Sequence, residues 1–389
     1  MNRSNFKYIL IWLFILSVLS AIFLYIKDSH RQSEIWSFKT LSLSTSRMLL
    51  HDNNIYFTDQ ANHVYSLSTD GDLNWKLDLG CPITTLKKII IYEKYIAAIT
   101  AASYQTLYPE TVTSCQNEER LHIIDRNKGK LINIKGGDLI YSNGFFNGKV
   151  YYSTSSGLYK SEITGTEEEI IIDSDIEGDM TRSLSSHFSF HDSMLYMKNM
   201  DQHVFAFDLI SDEIKWQHAS DWQPDQKDSV EPTRTSRSLV YDEGVIYTVN
   251  KVQHSTAADV YAFDAESGVI LGRYRIEAGA SPGRLSASDK YIYIPSRDSR
   301  VHALTKRDLY PVWDVPTIGP VRGAMVPYQG VVYAGTQAGS IIGLDEETGE
   351  RVYRYPTDDP IPGTPAIQDG IIYFATNGGS IHAVRLPDK

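Results

Sequence analysis

The feature that most constrains this chain is an internal repeat in which two strand signatures alternate along nearly its whole length. The first is an apolar pair ending in tyrosine behind a short polar turn. It reads HDNNIYF at 51–57, FNGKVYY at 146–152, HDSMLYM at 191–197, DEGVIYT at 242–248, SDKYIYI at 288–294, YQGVVYA at 328–334 and QDGIIYF at 368–374, with a weaker copy, YEKYIAA, at 92–98. The second is an alternating strand that often ends in aspartate. It begins as HVYSL at 63, RLHIID at 120, GLYKS at 157, HVFAFD at 203, DVYAFD at 259, RVHAL at 300, SIIGLD at 340 and SIHAV at 380. Each signature occurs eight times, and the two interleave strictly.

Local chemistry explains both. Asn-Gly and Asp-Gly pairs between apolar runs set tight hairpins, because glycine tolerates the positive φ such turns need. After the second signature, Asp70-Gly71, Lys128-Gly129, Ser267-Gly268 and Thr348-Gly349 turn the chain into another strand, which carries Trp75, Trp216, Trp313 or Tyr353. Four antiparallel strands every ~40 residues make one propeller blade. The expected fold is therefore all-β, an eight-bladed β-propeller with strands A to D in each blade. The last three steps between C strands are 41, 40 and 40 residues, whereas blade 2 is irregular enough to make seven blades the alternative count.

The eighth unit stops after its C strand, and the segment EIWSFK at 34–39 has the character of a missing D strand. Trp36 precedes Tyr56 by 20 residues, the same step as Trp313 to Tyr333 and Tyr353 to Tyr373. The propeller is thus predicted to span 34–389 and to close through its N-terminal strand, removing exposed sheet edges. Trp36, Trp75, Trp216, Trp313 and Tyr353 are expected to be structural blade aromatics.

Ahead of the repeats, Tyr8 to Ile26 form an uncharged run of 19 residues, YILIWLFILSVLSAIFLYI. A helix of that length roughly matches a hydrocarbon core of ~30 Å. The predicted organisation is a cytoplasmic N-terminus at 1–7, a transmembrane signal anchor at 8–26 and a linker at 27–33. The alternative is a cleaved signal peptide, but greasy residues follow its nearest small-residue site, Val18-Leu19-Ser20. Arg3 and Lys7 favour an N-terminus kept inside, against Lys27 and Arg31 beyond the run. The propeller is then expected on the inner membrane, facing the periplasm or the cell exterior. Net charge is −11, and about −14 once residues 1–33 are set aside, so phosphate backbones would be repelled and nucleic acid is not an expected partner.

Laid out in this way, the repeat resembles the PQQ-type propeller repeat, A-x-D-x-x-T-G-x-x-x-W. Ala206-Phe207-Asp208 to Trp216 keeps its span, as does Ala303 to Trp313. Ala262-Phe263-Asp264 with Ser267-Gly268, and Gly343-Leu344-Asp345 with Thr348-Gly349 and Tyr353, keep most of the rest. The resemblance covers nearly everything after residue 34 and implies the fold, not the task. One branch of that family comprises quinone-dependent dehydrogenases, many with an adjacent cysteine pair and carboxylate ligands for calcium. Here the two cysteines lie 34 residues apart and no calcium or base motif maps onto the sequence. The other branch, non-enzymatic and BamB-like, is closer in length and in lacking cofactor residues, although its type member is a lipoprotein and no cysteine lies near this apolar run. No bound cofactor is expected, PQQ included. The expected role is a protein-interaction scaffold, with envelope or outer-membrane protein assembly as one setting. A PQQ-dependent dehydrogenase-like enzyme and a carbohydrate-binding or sensor propeller are the alternatives.

Loop lengths give the fold a working face. From the register tyrosine to the C strand the spacing is 8 in five blades and 7 in blade 3, but 13 in blade 5 and 24 in blade 2. The connection between blades 4 and 5 is also long, at 217–238. B–C and D–A connections share one face of a propeller, so every substantial insertion falls there. Long loops in compact domains are usually functional. The blade 2 insertion, 100–119, carries Tyr104 and Tyr108; the later one carries Trp222, Arg234 and Arg237. Aromatics and arginine anchor interfaces, so these five are the candidate partner-binding residues for a protein or peptide; solvated loops with a few packed aromatics are the bland alternative. Cys81 and Cys115 both belong to this face, one blade apart, where a disulfide would pin the longer loop in an oxidising compartment; two unrelated buried thiols are the other reading.

No catalytic residue and no metal ligand is expected. His63, His122, His302 and His382 lie in or beside C strands of different blades and read as packing or surface groups, because a metal needs three or four ligands converging on one point. Glu346-Glu347, Asp358-Asp359 and Glu167 to Glu169 read as solvated charge.

Overall fold

The computed structural model describes residues 33–42, 47–61, 63–80, 89–100, 120–136, 140, 142–154, 156–173, 188–199, 202–219, 238–252, 255, 257–277, 283–296 and 298–387. Among them, 32 strands form eight four-stranded antiparallel sheets, each in the order A-B-C-D. Blade 1 is typical: Leu49–His51, Asn54–Thr58, His63–Ser68 and Leu73–Asp78. Blade 8 takes strands Ala366–Gln368, Ile371–Ala375 and Ser380–Arg385 from the end of the chain and Glu34–Lys39 from the beginning. In that clasp Trp36 lies opposite Ala383 and Phe38 opposite Ile381, and Glu34 accepts from His382 Nδ1 at 2.8 Å.

The sequence patterning decides each strand's depth. B and C strands are apolar on both faces and almost wholly buried, as in Val331–Thr336. D strands alternate, as in Glu34–Lys39, because only one face meets the next blade. The A–B hairpins turn through left-handed residues such as Asn147 (φ 47°) with Gly148 (φ 75°) and Asp369 (φ 51°) with Gly370 (φ 73°), the conformation that two-residue hairpins need. All eight C–D ladders shift register once, between Ala206 and Phe207 in blade 4 for example. Such bulges increase twist and turn the D strand toward its neighbour.

The repeat motif acts between blades. The register tyrosine packs on its own blade's D-strand aromatic in five blades: Tyr56 on Trp75, Tyr196 on Trp216, Tyr293 on Trp313, Tyr333 on Tyr353 and Tyr373 on Trp36, with ring centroids 5.8–6.2 Å apart. Each tryptophan then reaches the following blade. Its Nε1 donates to a backbone carbonyl there: Trp36 to Thr69, Trp75 to Arg126, Trp216 to Ala265 and Trp313 to Glu346, at 2.8–3.0 Å. The motif glycine of that blade lies against the indole. Where tryptophan is absent the contact changes form: in blade 2 Asn133 donates to the Gly165 carbonyl at 2.6 Å, and in blade 5 Gly272 lets the blade 6 backbone at Arg307-Asp308 approach.

Candidate functional site

The two faces of the ring are built differently. On the face of the A–B and C–D turns, adjacent blades are stitched by ion pairs: Arg126 to Asp52 at 2.7 Å, Lys160 to Asp212 at 2.9 Å and Lys306 to Glu243 at 2.7 Å. Glu347 pairs with Lys290 and accepts from Tyr291. Glu346 departs from expectation. Instead of being solvated it is buried, accepting from the Tyr293 hydroxyl at 2.7 Å, because the motif turn tucks it under the preceding blade.

The opposite face carries the long connections. The candidate residues Tyr104, Tyr108, Trp222, Arg234 and Arg237 lie outside the described residues, as do Cys81, Cys115 and the apolar run 8–26. What is described is where the insertions leave the fold. Thr100 and Arg120 are paired partners across strands B and C of blade 2, so the two residues that flank 101–119 lie side by side. The longest connection leaves blade 4 after Glu213–His218 and enters blade 5 at Leu239–Asp242.

At the centre of this face the A strands of blades 1 and 4 to 8 and the residues just before them line an axial cavity of about 520 Å³, within the usual ~300–1,000 Å³ of ligand sites. Its wall is mainly apolar, with Met48, Leu49, Leu285, Met325, Val326 and Ile367 among the lining residues. The polar groups follow a pattern. Ser238 Oγ accepts the Leu285 N–H at 2.8 Å, Ser286 Oγ the Met325 N–H at 3.1 Å, Ser189 Oγ the Tyr241 N–H at 3.0 Å and Thr364 Oγ1 the Ala324 N–H at 2.9 Å. Each bond crosses from one blade to its neighbour, so inner-strand hydroxyls zip the rim where neighbouring A strands share no ladder.

Among the described residues two charged side chains line the cavity, Arg47 and Arg284. Arg47 keeps exposed surface and Arg284 is half-buried, yet both stand inside the ring wall, where protein displaces most of the surrounding water. This desolvation lowers the pKa of Arg47. For Arg284, desolvation together with the like charge of Arg47 pushes the pKa down to about 10. Loop lengths and motifs do not reveal this pair. The signal is positional: each arginine stands nine residues before a register tyrosine, Arg47 before Tyr56 and Arg284 before Tyr293.

Between blades 4 and 5, Lys198 is buried and donates to the Val249 carbonyl at 2.6 Å. Desolvation pushes its pKa down to about 7. Beside it, Asn250 Nδ2 donates to the Gln202 carbonyl.

The histidines fall in separate environments. His63 Nδ1 sits 3.1 Å from the buried Asp59, which also accepts from the Tyr65 hydroxyl. Burial, then Arg120, pushes His122 down to about 4. Among the described residues no three His, Cys, Asp or Glu side chains converge as a metal site. The quinone and calcium of the dehydrogenase branch need carboxylate ligands, and the described lining of the axial cavity contains none. These residues do not fit that pair.

Comparison with known proteins places this geometry in context. The computationally designed Ika8 protein has a TM-score of 0.69 at 11% identity, covering 91% of this chain and 100% of its own. BamB from Moraxella catarrhalis gives 0.67 at 12%, covering 91% and 99%. A quinohemoprotein alcohol dehydrogenase from Pseudomonas putida HK5 gives 0.61 at 12%, covering 92% and 76%. Identities this low show the fold alone. No curated protein matches the sequence. The family described as outer membrane protein assembly factor BamB, in contrast, matches this chain over residues 24–218 and 256–388. Carrying that match over most of its length, on eight closed blades, the chain belongs to the BamB family of PQQ-like repeat propellers.

Proposed function

We propose that this chain is a non-enzymatic, membrane-anchored scaffold that binds a protein partner through the face bearing its B–C and D–A connections, outside the cytoplasm. The observation that carries the reading is the asymmetry of the faces. One is sealed by short left-handed turns and inter-blade ion pairs, while the other holds an axial cavity and the strand ends between which both long insertions run. A BamB-like family membership supports an interaction role, with envelope protein assembly as its setting. Tyr104, Tyr108, Trp222, Arg234 and Arg237 supply the contact surface in this reading. A Cys81–Cys115 disulfide pins the first insertion, and the 8–26 segment holds the propeller at the inner membrane.

The test is capture of partners from solubilised membranes with the full chain and with a variant in which residues 101–119 are replaced by Asn-Gly. Thr100 and Arg120 already lie side by side, so the shortened hairpin preserves blade 2. Loss of a captured protein supports the reading, and an unchanged set overturns it. Intact mass before and after reduction tests the disulfide, for which a gain of two hydrogens on reduction is expected. The dehydrogenase alternative is checked by reconstitution with quinone and calcium, where a bound chromophore with dye-linked turnover would replace the scaffold reading.

A further inference from the structure

The charged and hydroxyl side chains of the axial cavity are one-sided in chemistry. Arg47 and Arg284 are donors only. Ser189, Ser238, Ser286 and Thr364 each use a lone pair on a neighbouring blade's N–H, which leaves the hydroxyl hydrogen to give, and among the described residues none donates it. No carboxylate stands among the described lining residues. A protein of net charge −11 therefore places two cations and four hydroxyl groups in one cavity of about 520 Å³. The matching ligand is an anion rich in acceptors. A bare inorganic anion would leave the wall of Met48, Leu285, Met325 and Ile367 facing water, so the ligand also needs an apolar body.

We infer that the axial cavity takes an acidic side chain carried on an apolar, extended segment of a partner polypeptide, with Arg47 and Arg284 as its cationic contacts. This rests on the scaffold reading of the same face and adds the chemistry of the partner. A peptide suits the site because the cavity lies among the starts of the A strands, on the face where the insertions also emerge. Desolvation first, and then the like charge of Arg47, disfavour the cation at Arg284, and a carboxylate between the two arginines offsets both. Charge-assisted hydrogen bonds of this kind are the stronger class.

The probe is an acetylated, amidated pentapeptide alternating leucine and glutamate, titrated against the full chain in detergent at low salt, beside its glutamine counterpart. The glutamate peptide is expected to bind about tenfold more tightly or better, and the preference to fall toward unity in Arg47→Gln/Arg284→Gln. Arg322→Gln alters a neighbouring exposed arginine outside the cavity lining and is expected to keep the preference. Should the double variant fail to fold, Arg47→Gln alone is expected to lose about threefold. Equal binding of the two peptides overturns the inference, as does a preference that survives in the variants, or displacement by acetate or phosphate as effective as by peptide. Partner capture that depends on 101–119 but not on the arginines would sink this inference and leave the scaffold reading standing.

Discussion

The indole of Trp216 lies so close over Gly268 of the following blade that a Cβ added to the glycine would fall 2.6 Å from the ring. The same residue sits at φ +72°, a region that side chains rarely adopt. Gly268→Ala should cost about 2–4 kcal/mol, combining left-handed strain with overpacking. Gly148 separates the two causes, since it has φ +75° and nothing within 4 Å of an added Cβ. Gly148→Ala should cost only about 1 kcal/mol. Urea unfolding of both variants is the check, and equal losses would show that the indole contact contributes nothing.

Lys198 makes stability depend on pH in a stated direction. Its folded pKa, pushed down to about 7 by burial, lies below its unfolded value near 10.5. The unfolded chain therefore holds the extra proton between those limits, and stability rises with pH across them. Lys198→Met keeps the side-chain length and removes the charge. It should stabilise the fold by roughly 2–4 kcal/mol at pH 6, with the advantage shrinking toward pH 10. Thermal unfolding of both proteins across that range decides, and a constant difference would remove Lys198 from the explanation.

Asp259 has the opposite sign. Burial raises its pKa, but hydrogen bonds from Arg275 and Arg273 outweigh that and hold it below the ordinary aspartate value. The resulting stabilisation is present above about pH 4 and is lost as pH falls through the depressed folded value. Asp259→Asn should lose about 1–3 kcal/mol at pH 7, a modest figure because both arginines are exposed. Urea unfolding of both proteins from neutral to acid pH is the check, with the deficit fading as pH falls through the depressed folded value.

Tyr293→Phe removes the 2.7 Å hydrogen bond to the buried Glu346 and leaves a desolvated carboxylate short of a donor. A loss of about 1–3 kcal/mol is expected, whereas Tyr293→Phe combined with Glu346→Gln should recover part of it. Denaturant midpoints of the single and double variants test the coupling.

Much of this architecture is written locally. A register tyrosine, a motif glycine and a D-strand tryptophan each act within one blade or on the next, so their spacing displays eight units and the PQQ-type motif without any knowledge of the ring. Blade 2 looks irregular in sequence because Asn133 replaces the aromatic and 101–119 interrupts the spacing, yet its ladders form like the others. Glu346 looks solvated in sequence because its burial comes from the preceding blade's Tyr293. The axial cavity has no local signature for a related reason. Arg47 and Arg284 lie 237 positions apart and meet only once every blade between them is in place, so no local window contains the site.

The clasp of blade 8 has a consequence for how the molecule is made and loaded. Glu34 and His382 are separated by 348 residues, so strand Glu34–Lys39 must stay without its ladder until Ser380–Arg385 exists. A contact of that separation is entropically slow to form, and the first six residues of the fold become its final piece. Any mechanical load entering through the N-terminal segment is borne first by Glu34–Lys39, which is held by one ladder and by the Trp36 contact with blade 1. The last part to assemble is then the first to yield.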